Sequence, residues 1–371
     1  MKDTREKIPL FCAKSAGAGV DLLGAVRQVL ESHWYVLGSA VQRFEAEFAQ
    51  FNGVSHCASV ANGTDALELA LRALGVKPGD EVITVANAGF YSSTAILAVG
   101  AHPWYVDVEP TTMTMCAGAL ENALSRQPKA IVVTHLYGRL ADMNAIVPLA
   151  EAAGIPVIED CAQAHGAALN GRKAGSFGAA GCFSFYPTKN LGAIGDGGAI
   201  VTQDSELHAR LRQLRQYGWS SKYHVQLEGG RNSRLDELQA AVLSAKLVQL
   251  DAWNTQRRDI ARRYNEAFAG LPVQTPDTLT PEYAAHLYVL RCAQRDALRR
   301  FLADRGISTE VHYPVPDHLQ AITPRTPQPA LPITEQLARE IVTLPCFPGL
   351  ADADVSRIIT AVREFFADSP A

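Results

Sequence analysis

The lysine at position 189 stands where a reactive amine could be placed. It follows the apolar run 182–185 and lies among Pro187, aromatic rings and glycines in the segment Ser184-Phe185-Tyr186-Pro187-Thr188-Lys189-Asn190-Leu191-Gly192. Because desolvation lowers the pKa of a lysine, these surroundings favour the neutral amine that Schiff-base chemistry requires. Ser184 could supply a hydroxyl to a phosphate group. Alternatively, the glycines form a tight turn and Lys189 faces water.

A carboxylate, Asp160, follows a second apolar run, residues 156–158. In a crevice, a carboxylate can keep a pyridine nitrogen protonated, because each charge favours the charged form of the other group. Gln163 lies three positions later and could reach a neighbouring ring substituent. Taken alone, an acidic residue here could equally be a metal ligand or a helix cap.

A third polar segment, Asn62-Gly63-Thr64-Asp65, precedes the helical pattern 65–74. The free N–H groups and the positive end of such a helix form an anion site, to which Thr64 could add its hydroxyl. The alternative is a plain N-cap with a glycine turn.

The elements that must position these residues are short apolar runs alternating with helical patterns. Several runs are apolar throughout, as expected for strands buried on both faces. Helical patterns 65–74 and 144–153 each end at a glycine. The alternation predicts an α/β fold with a mostly parallel sheet, whose ligands bind at the carboxyl ends of the strands. The apolar runs are residues 81–85, 104–108, 130–134, 156–160, 182–185 and 199–202.

Two domains are predicted from the length of the chain and from the change of pattern after Asp236. From that residue, an apolar stripe at helical spacing leads into a second, more polar helix that continues to Phe268. We interpret these helices as a bridge between domains. The predicted domains are a large α/β domain, residues 1–250, and a small α+β domain, residues 251–371.

The composition limits the classes of partner. The 371 residues are 47% hydrophobic and 19% charged, which is typical of a folded enzyme. A formal net charge of -4 provides no basic field for a nucleic acid, and no apolar run is long enough to span a membrane. The seven cysteines are scattered without metal-ligand spacing, so we expect no metal, reduced thiols and a cytoplasmic location.

The anion site, the carboxylate and the amine occur in a chain order that resembles the fold-type I pyridoxal-phosphate enzymes. The chain is most similar to the DegT/DnrJ/EryC1/StrS family of nucleotide-sugar aminotransferases, from about Leu37 to the C-terminus. The most specific stretches are residues 159–166, 183–192 and 232–241. The resemblance implies an aspartate aminotransferase-like fold and pyridoxal 5'-phosphate as cofactor, with pyridoxamine phosphate formed during the cycle.

The resemblance also implies roles for individual residues. Lys189 would hold the cofactor as a Schiff base, Asp160 would pair with the pyridinium nitrogen, and Gln163 would contact the ring hydroxyl. The phosphate would be bound by Gly63, Thr64 and Ser184.

Two further implied roles concern the partner subunit and the face of the cofactor. An asparagine matching Asn232 reaches the phosphate from the partner in this family, which implies a homodimer with shared active sites. An aromatic ring covering the cofactor would be Phe90 or Tyr91. We favour Tyr91, because Ser93-Thr94 matches the pair that follows this ring in the family.

The substrate class follows from the same resemblance. Family members pass an amino group, usually from L-glutamate, to a keto-sugar carried on a nucleotide. Tyr186-Pro187 and the segment 311–320 resemble the branch that aminates C3 of dTDP-3-keto-6-deoxyhexoses, for deoxyaminosugar biosynthesis. Tyr186, His312 and Tyr313 would then line the sugar pocket. His312-Tyr313-Pro314 could instead be a loop-to-strand turn with a buried ring.

Several other functions remain as alternatives. Within the family, these are amination at C4 and amination of a UDP-linked 3-keto-sugar. A dehydratase or an α-amino-acid aminotransferase is disfavoured by the retained Lys189 and by the segment 311–320. The remoter alternative is a non-catalytic regulator on the same fold.

Overall fold

The computed structural model describes residues 7–277, 279–322 and 328–367, and its centre is a seven-stranded sheet. The strands of these ranges are β1 His56–Val60, β2 Glu81–Val85, β3 His102–Val106, β4 Ala130–Thr134, β5 Val157–Asp160, β6 Ala168–Leu169, β7 Arg172–Lys173, β8 Ala180–Ser184, β9 Gly198–Thr202, β10 Trp219–Ser221, β11 His224–Val225, β12 Tyr288–Arg291 and β13 Ile341–Leu344.

Helices cover the sheet and form much of the C-terminal third. The α-helices are α1 Ala13–Ala16, α2 Leu22–Ser32, α3 Ser39–Asn52, α4 Gly63–Ala73, α5 Tyr91–Ala98, α6 Ala117–Ala123, α7 Met143–Ala152, α8 Ser205–Leu214, α9 Glu237–Leu247, α10 Leu250–Phe268, α11 Arg295–Asp304, α12 Pro332–Glu340 and α13 Asp352–Ala367, and short 3-10 helices occur at Leu124–Arg126, Leu136–Gly138 and Asp317–Leu319. Among the described helices, none is both long and apolar enough to cross a lipid bilayer.

The strand order of the central sheet is β1-β9-β8-β5-β4-β2-β3. The neighbours from β8 to β3 pair in parallel, whereas β9 runs antiparallel to both β1 and β8. Thr134 pairs with Asp160, and Asp160 pairs with Cys182, so the carboxyl ends of β4, β5 and β8 lie at one edge. The predicted α/β fold with a mostly parallel sheet is confirmed.

Burial on both faces explains the unbroken apolar runs. In β4, Ile131 and Val133 belong to the core cluster on one side of the sheet, while Ala130 and Val132 belong to the cluster on the other side. The first cluster contains Phe44 and Phe48 of α3, and the second contains apolar residues of α4, α5 and α8. Alternate side chains therefore reach opposite faces, as strand geometry requires.

A separate core surrounds the antiparallel pair β12 and β13. Ile260 and Phe268 of α10 contribute to it, together with residues of α11 and α13. Ile8, from the other end of the chain, also packs there and forms a parallel bridge with Ile307. The α9–α10 pair has the two-helix form that the sequence predicts, and the domain boundary at residue 250 stays a prediction.

Candidate active site

A cavity of about 940 Å³ lies at the carboxyl edge of the sheet. Residues of the core around β12 and β13 form part of its wall. Every predicted site residue except Asn232 lines it. Asn232 is exposed and bridges to Gln216. The lining residues that the sequence predicts are Gly63, Thr64, Tyr91, Asp160, Gln163, Ser184, Tyr186, Lys189, His312 and Tyr313.

Lys189 lies in a turn that follows β8, and its side chain lines the cavity. Its backbone N–H donates to the Tyr186 carbonyl at 2.8 Å. The turn is tight, since a Cβ at Gly192 would lie 2.5 Å from the Pro187 oxygen. Burial lowers the pKa of the Lys189 amine to about 8, while the nearby Asp160 carboxylate acts in the opposite direction. The tight turn that the sequence offered as an alternative is therefore present, and its Lys189 lines the cavity.

Asp160 ends β5 and is 5% exposed. Its carboxylate accepts a hydrogen bond from the Ala162 N–H at 3.2 Å and one from Ser92 Oγ at 3.3 Å. Burial raises the pKa of Asp160, while these hydrogen bonds and the Lys189 charge oppose that rise. A protonated ring nitrogen placed against this carboxylate would favour its ionised form further.

The preceding residue, Glu159, points away from Asp160 because side chains alternate along a strand. Its carboxylate accepts hydrogen bonds from three backbone N–H groups and contacts His135 Nε2 at 2.9 Å. His135, Glu159 and Cys161 lie close enough to hold a metal ion. However, His135 Nδ1 already accepts a hydrogen bond from the Ala141 N–H at 3.1 Å, so both ring nitrogens are engaged. Glu159 thus secures the loop that contains residues 175–178.

The Gln163 side-chain amide, in the cavity wall, connects the segments that contain Tyr137 and Tyr313. Its Oε1 accepts from the Tyr137 N–H at 2.6 Å, and its Nε2 donates to the Tyr313 hydroxyl at 3.1 Å. The Tyr137 hydroxyl in turn donates to the His312 carbonyl. An amide nitrogen carries two hydrogens, so one remains available to an oxygen of a bound ring.

The predicted anion site is the first turn of α4. Asn62 Oδ1 accepts the Asp65 N–H at 2.8 Å, so the N-cap that the sequence offered as an alternative is present. Gly63 is required here, because a Cβ would lie 2.6 Å from the Ser184 Cβ. The start of α4 therefore approaches the end of β8 closely, and the Thr64 and Ser184 hydroxyls border the same cavity. Helix N–H groups with two hydroxyls suit a phosphate.

Tyr91, rather than Phe90, lines the cavity. Its side chain is 50% exposed and meets the Tyr313 ring edge-to-face, with centroids 6.0 Å apart. Phe90 has a left-handed backbone (φ 70°), and its N–H donates to Asp317 Oδ1 at 3.0 Å.

The segment predicted to line a sugar pocket forms one wall. His312 Nδ1 and Thr343 Oγ1 lie 2.8 Å apart, and burial lowers the pKa of His312 to about 4. Tyr313 is half-buried and packs on Gly89, where an added Cβ would lie 2.8 Å from its ring. Tyr186 is 52% exposed at the mouth of the cavity.

The sequence matches the DegT/DnrJ/EryC1/StrS aminotransferase family over residues 18–363. The chain belongs to this family. It is 46% identical to dTDP-3-amino-3,6-dideoxy-alpha-D-galactopyranose transaminase of Aneurinibacillus thermoaerophilus, with 92% of this chain and 94% of the relative aligned. It is 43% identical to UDP-N-acetyl-3-dehydro-alpha-D-glucosamine 3-aminotransferase of Acidithiobacillus ferrooxidans, with 92% and 93% aligned.

A solved relative shows the same fold. The structure of S. venezuelae DesV in complex with a ketimine intermediate is similar with a TM-score of 0.94 and 42% identity, covering 99% of this chain and 100% of DesV. The predicted family, the fold type, the aminotransferase activity and the dependence on pyridoxal phosphate are confirmed. The residues of the cavity fit this cofactor, because an amine, a buried carboxylate and a helix N-terminus converge there.

The sequence did not reveal all residues of this family member's cavity. Thr134, Arg257 and His286 also line it, as do Leu10 and Phe11 from the N-terminal segment. The Arg257 region contains several arginines in one helical pattern, and the prediction from the sequence did not separate the one that faces inward. A helical-wheel comparison of α10 would have placed Arg257 on the face that carries Ile260 and Tyr264, both buried.

Proposed function

We propose that the protein transfers the amino group of L-glutamate to C3 of a dTDP-linked 3-keto-6-deoxyhexose, in deoxyaminosugar biosynthesis. The observation that carries this proposal is a single cavity that joins Lys189 to the wall formed by Tyr186, His312 and Tyr313. Both curated relatives described above are named for chemistry at position 3 of the sugar, one on dTDP and the other on UDP. The UDP-linked substrate is therefore the second candidate.

Pyridoxal phosphate, when bound, supplies a carbonyl that takes up an amino group and a ring that withdraws electrons from the adjacent carbon. The first turn of α4 and the Ser184 hydroxyl would bind its phosphate. Asp160 would hold the proton on its ring nitrogen, and Tyr91 would cover its face. Lys189 would carry it covalently.

Lys189 would also move the protons of the reaction. A pKa of about 8 lets the Nζ amine both accept and return a proton near neutral pH. The amine approaches from one side, so proton return should occur on a single face of the sugar carbon. The product should then be a single epimer, with an equatorial amine. His312 and Tyr186 would orient the sugar.

The working unit in this proposal is a homodimer with shared active sites. Asn232 lies outside the cavity of its own chain and is exposed, which supports a role in the cavity of a partner. The consecutive apolar residues Trp34, Tyr35 and Val36 are 62%, 46% and 39% exposed, as expected of a surface that a second copy covers. We place the enzyme in the cytoplasm, a location that seven unpaired thiols support.

Mixing two inactive variants tests the shared site. Lys189→Ala removes the amine, and Asn232→Ala removes the proposed phosphate ligand. If Asn232 serves the partner, a mixed dimer has one intact site and one doubly defective site. Random reassociation of an equal mixture should then restore about a quarter of the wild-type activity. If Asn232 serves its own subunit, both sites of the mixed dimer are defective and no activity returns.

Product analysis tests the reaction itself. The protein is incubated with L-glutamate and with dTDP-, UDP- and GDP-linked 3-keto and 4-keto sugars, and NMR locates the new amine. We expect a single C3 epimer from the dTDP-linked 3-keto-sugar and none with Lys189→Ala. An amine at C4, or a mixture of epimers, would contradict the proposed regiochemistry or the proposed control of the face.

A further inference from the structure

Arg257 of α10 is a buried cation in the cavity wall. It is 2% exposed and lines the same cavity as Lys189. Its Nη1 donates to the Cys346 carbonyl at 2.7 Å and to the His286 carbonyl at 3.3 Å, while its Nε has no hydrogen-bond partner. Burial lowers the pKa of Arg257 to about 10, so the guanidinium remains charged at neutral pH.

The other buried arginines of the described ranges have carboxylate partners. Arg215 forms an ion pair with Glu45, and Arg291 forms one with Glu340 at 2.8 Å. No Asp or Glu carboxylate is among the groups that shift the pKa of Arg257. Because an uncompensated buried charge is strongly unfavourable, an anion bound in the cavity would stabilise Arg257.

Hydrogen bonds connect Arg257 through His286 to Asn190, the residue that follows Lys189. Asn190, adjacent to Lys189, donates to Asn254 Oδ1 at 2.7 Å, and Asn254 lies one turn before Arg257 in α10. Asn190 Oδ1 also accepts from His286 Nδ1 at 3.0 Å. Lys189 and Arg257 both lower the pKa of His286, so both positive charges act on the same small volume.

We propose that Arg257 binds the α-carboxylate of the amino donor, an inference that rests on the proposed aminotransferase function. The α-carboxylate is attached to the carbon that carries the reacting amine, so it must lie close to Lys189 when the donor reacts. Arg257 offers the compensating charge in that part of the cavity, and the donor supplies the anion that Arg257 lacks.

Two isosteric donors test this assignment with the wild-type holoenzyme. L-isoglutamine has an amide in place of the α-carboxylate and keeps the side-chain carboxylate, whereas L-glutamine has the reverse arrangement. Conversion of the cofactor from its pyridoxal to its pyridoxamine form is followed by absorbance for each donor. Charge-assisted hydrogen bonds of this kind correspond to about 10- to 100-fold in rate, so isoglutamine should lose at least that factor relative to glutamate. Equal rates for isoglutamine and glutamate would overturn the proposal.

Arginine variants identify the residue responsible. Arg257→Gln should reduce the preference for glutamate over isoglutamine to near unity, and Arg257→Lys should retain part of it. The loss should be larger in the glutamate half-reaction than in the reverse half-reaction with the amino-sugar product. Arg258→Gln is the matched control, because it removes one positive charge from the same helix at a half-buried position outside the cavity lining. An undiminished donor preference in Arg257→Gln would refute the assignment.

The measurements remain decisive if Arg257 variants fold poorly. Circular dichroism and thermal unfolding report on the fold, and the wild-type comparison of donors does not depend on any variant. If glutamate leaves the wild-type cofactor unchanged but another amino acid converts it, the donor in the proposed function is wrong. The same comparison is then made between that amino acid and its α-amide, and it tests Arg257 as before.

Discussion

The pKa of Lys189 predicts how fast the cofactor-free protein captures pyridoxal phosphate at different pH values. Burial lowers this pKa from 10.5 to about 8. The neutral amine is the form that attacks a carbonyl. At pH 7, roughly a tenth of an amine with pKa 8 is neutral, against about one in three thousand for an amine at 10.5. The buried position therefore raises the reactive fraction about 300-fold.

The charge of Asp160 predicts how a substitution there should change the pKa of Lys189. Because Asp160 raises the pKa of Lys189, Asp160→Asn should lower that pKa further and shift the midpoint of the capture rate to a lower pH. In the wild-type protein, capture should accelerate up to about pH 8 and then level off. Stopped-flow absorbance measures the rate, and borohydride reduction followed by mass spectrometry confirms attachment at Lys189.

Ser92→Ala serves as the control, because it removes a hydrogen bond to Asp160 and leaves the charge in place. The pH midpoint of the capture rate in Ser92→Ala should equal that of the wild type. A wild-type midpoint near 10.5 would show that Lys189 behaves as an ordinary solvated lysine. A shift to higher pH in Asp160→Asn would show that the sign of the coupling is wrong.

Substitutions at three other residues should each have a different effect. Gly63→Ala should weaken cofactor binding in equilibrium dialysis, because its Cβ would lie 2.6 Å from the Ser184 Cβ and overpacking costs about 1–3 kcal/mol. Glu237→Gln should lower the free energy of unfolding by about 1.5–3 kcal/mol in urea, since the buried carboxylate accepts three N–H groups at the start of α3. Asp317→Asn should remove an ionisation near pH 7 from the pH–rate profile and alter the circular dichroism of the bound cofactor, because Asp317 holds the backbone just before Tyr91. An unchanged profile and spectrum would contradict that role.

The sequence predicts the buried strands well because their apolar runs reflect burial on both faces. β2 and β4 have the predicted bounds, whereas β3 begins two residues before the predicted run 104–108. The strand β1 His56–Val60 was missed, since its mixed run His-Cys-Ala-Ser-Val carries little apolar signal. Its burial depends on pairing with β9, which is more than 130 residues away in the chain.

The residues of the candidate site also fall into two groups, those that the sequence predicts and those whose contacts it does not. Residues at or shortly after the carboxyl ends of strands, such as Asp160 and Lys189, are accessible to sequence reasoning because parallel strands bring these ends together. Hydrogen-bond partners that lie far apart in the sequence are not accessible in this way. Glu237 caps α3 from 199 positions away, and Asp317 holds the Phe90 N–H from 227 positions away. No local pattern at Glu237 or Asp317 encodes these contacts, since they depend on tertiary packing.

The histidines around Lys189 determine how a pH–rate profile should be assigned. Burial lowers the pKa of His165 to about 3 and that of His312 to about 4, and it lowers the pKa of His286 as well. These rings are therefore neutral across the range in which the enzyme would work, and a proton lost near neutral pH does not come from them. Burial raises the pKa of Asp317 to about 7, so we expect this carboxyl group, which secures the cavity wall, to contribute an ionisation in that range. A change near pH 8 in the cofactor-free protein, where Lys189 is a free amine, then reports Lys189 itself.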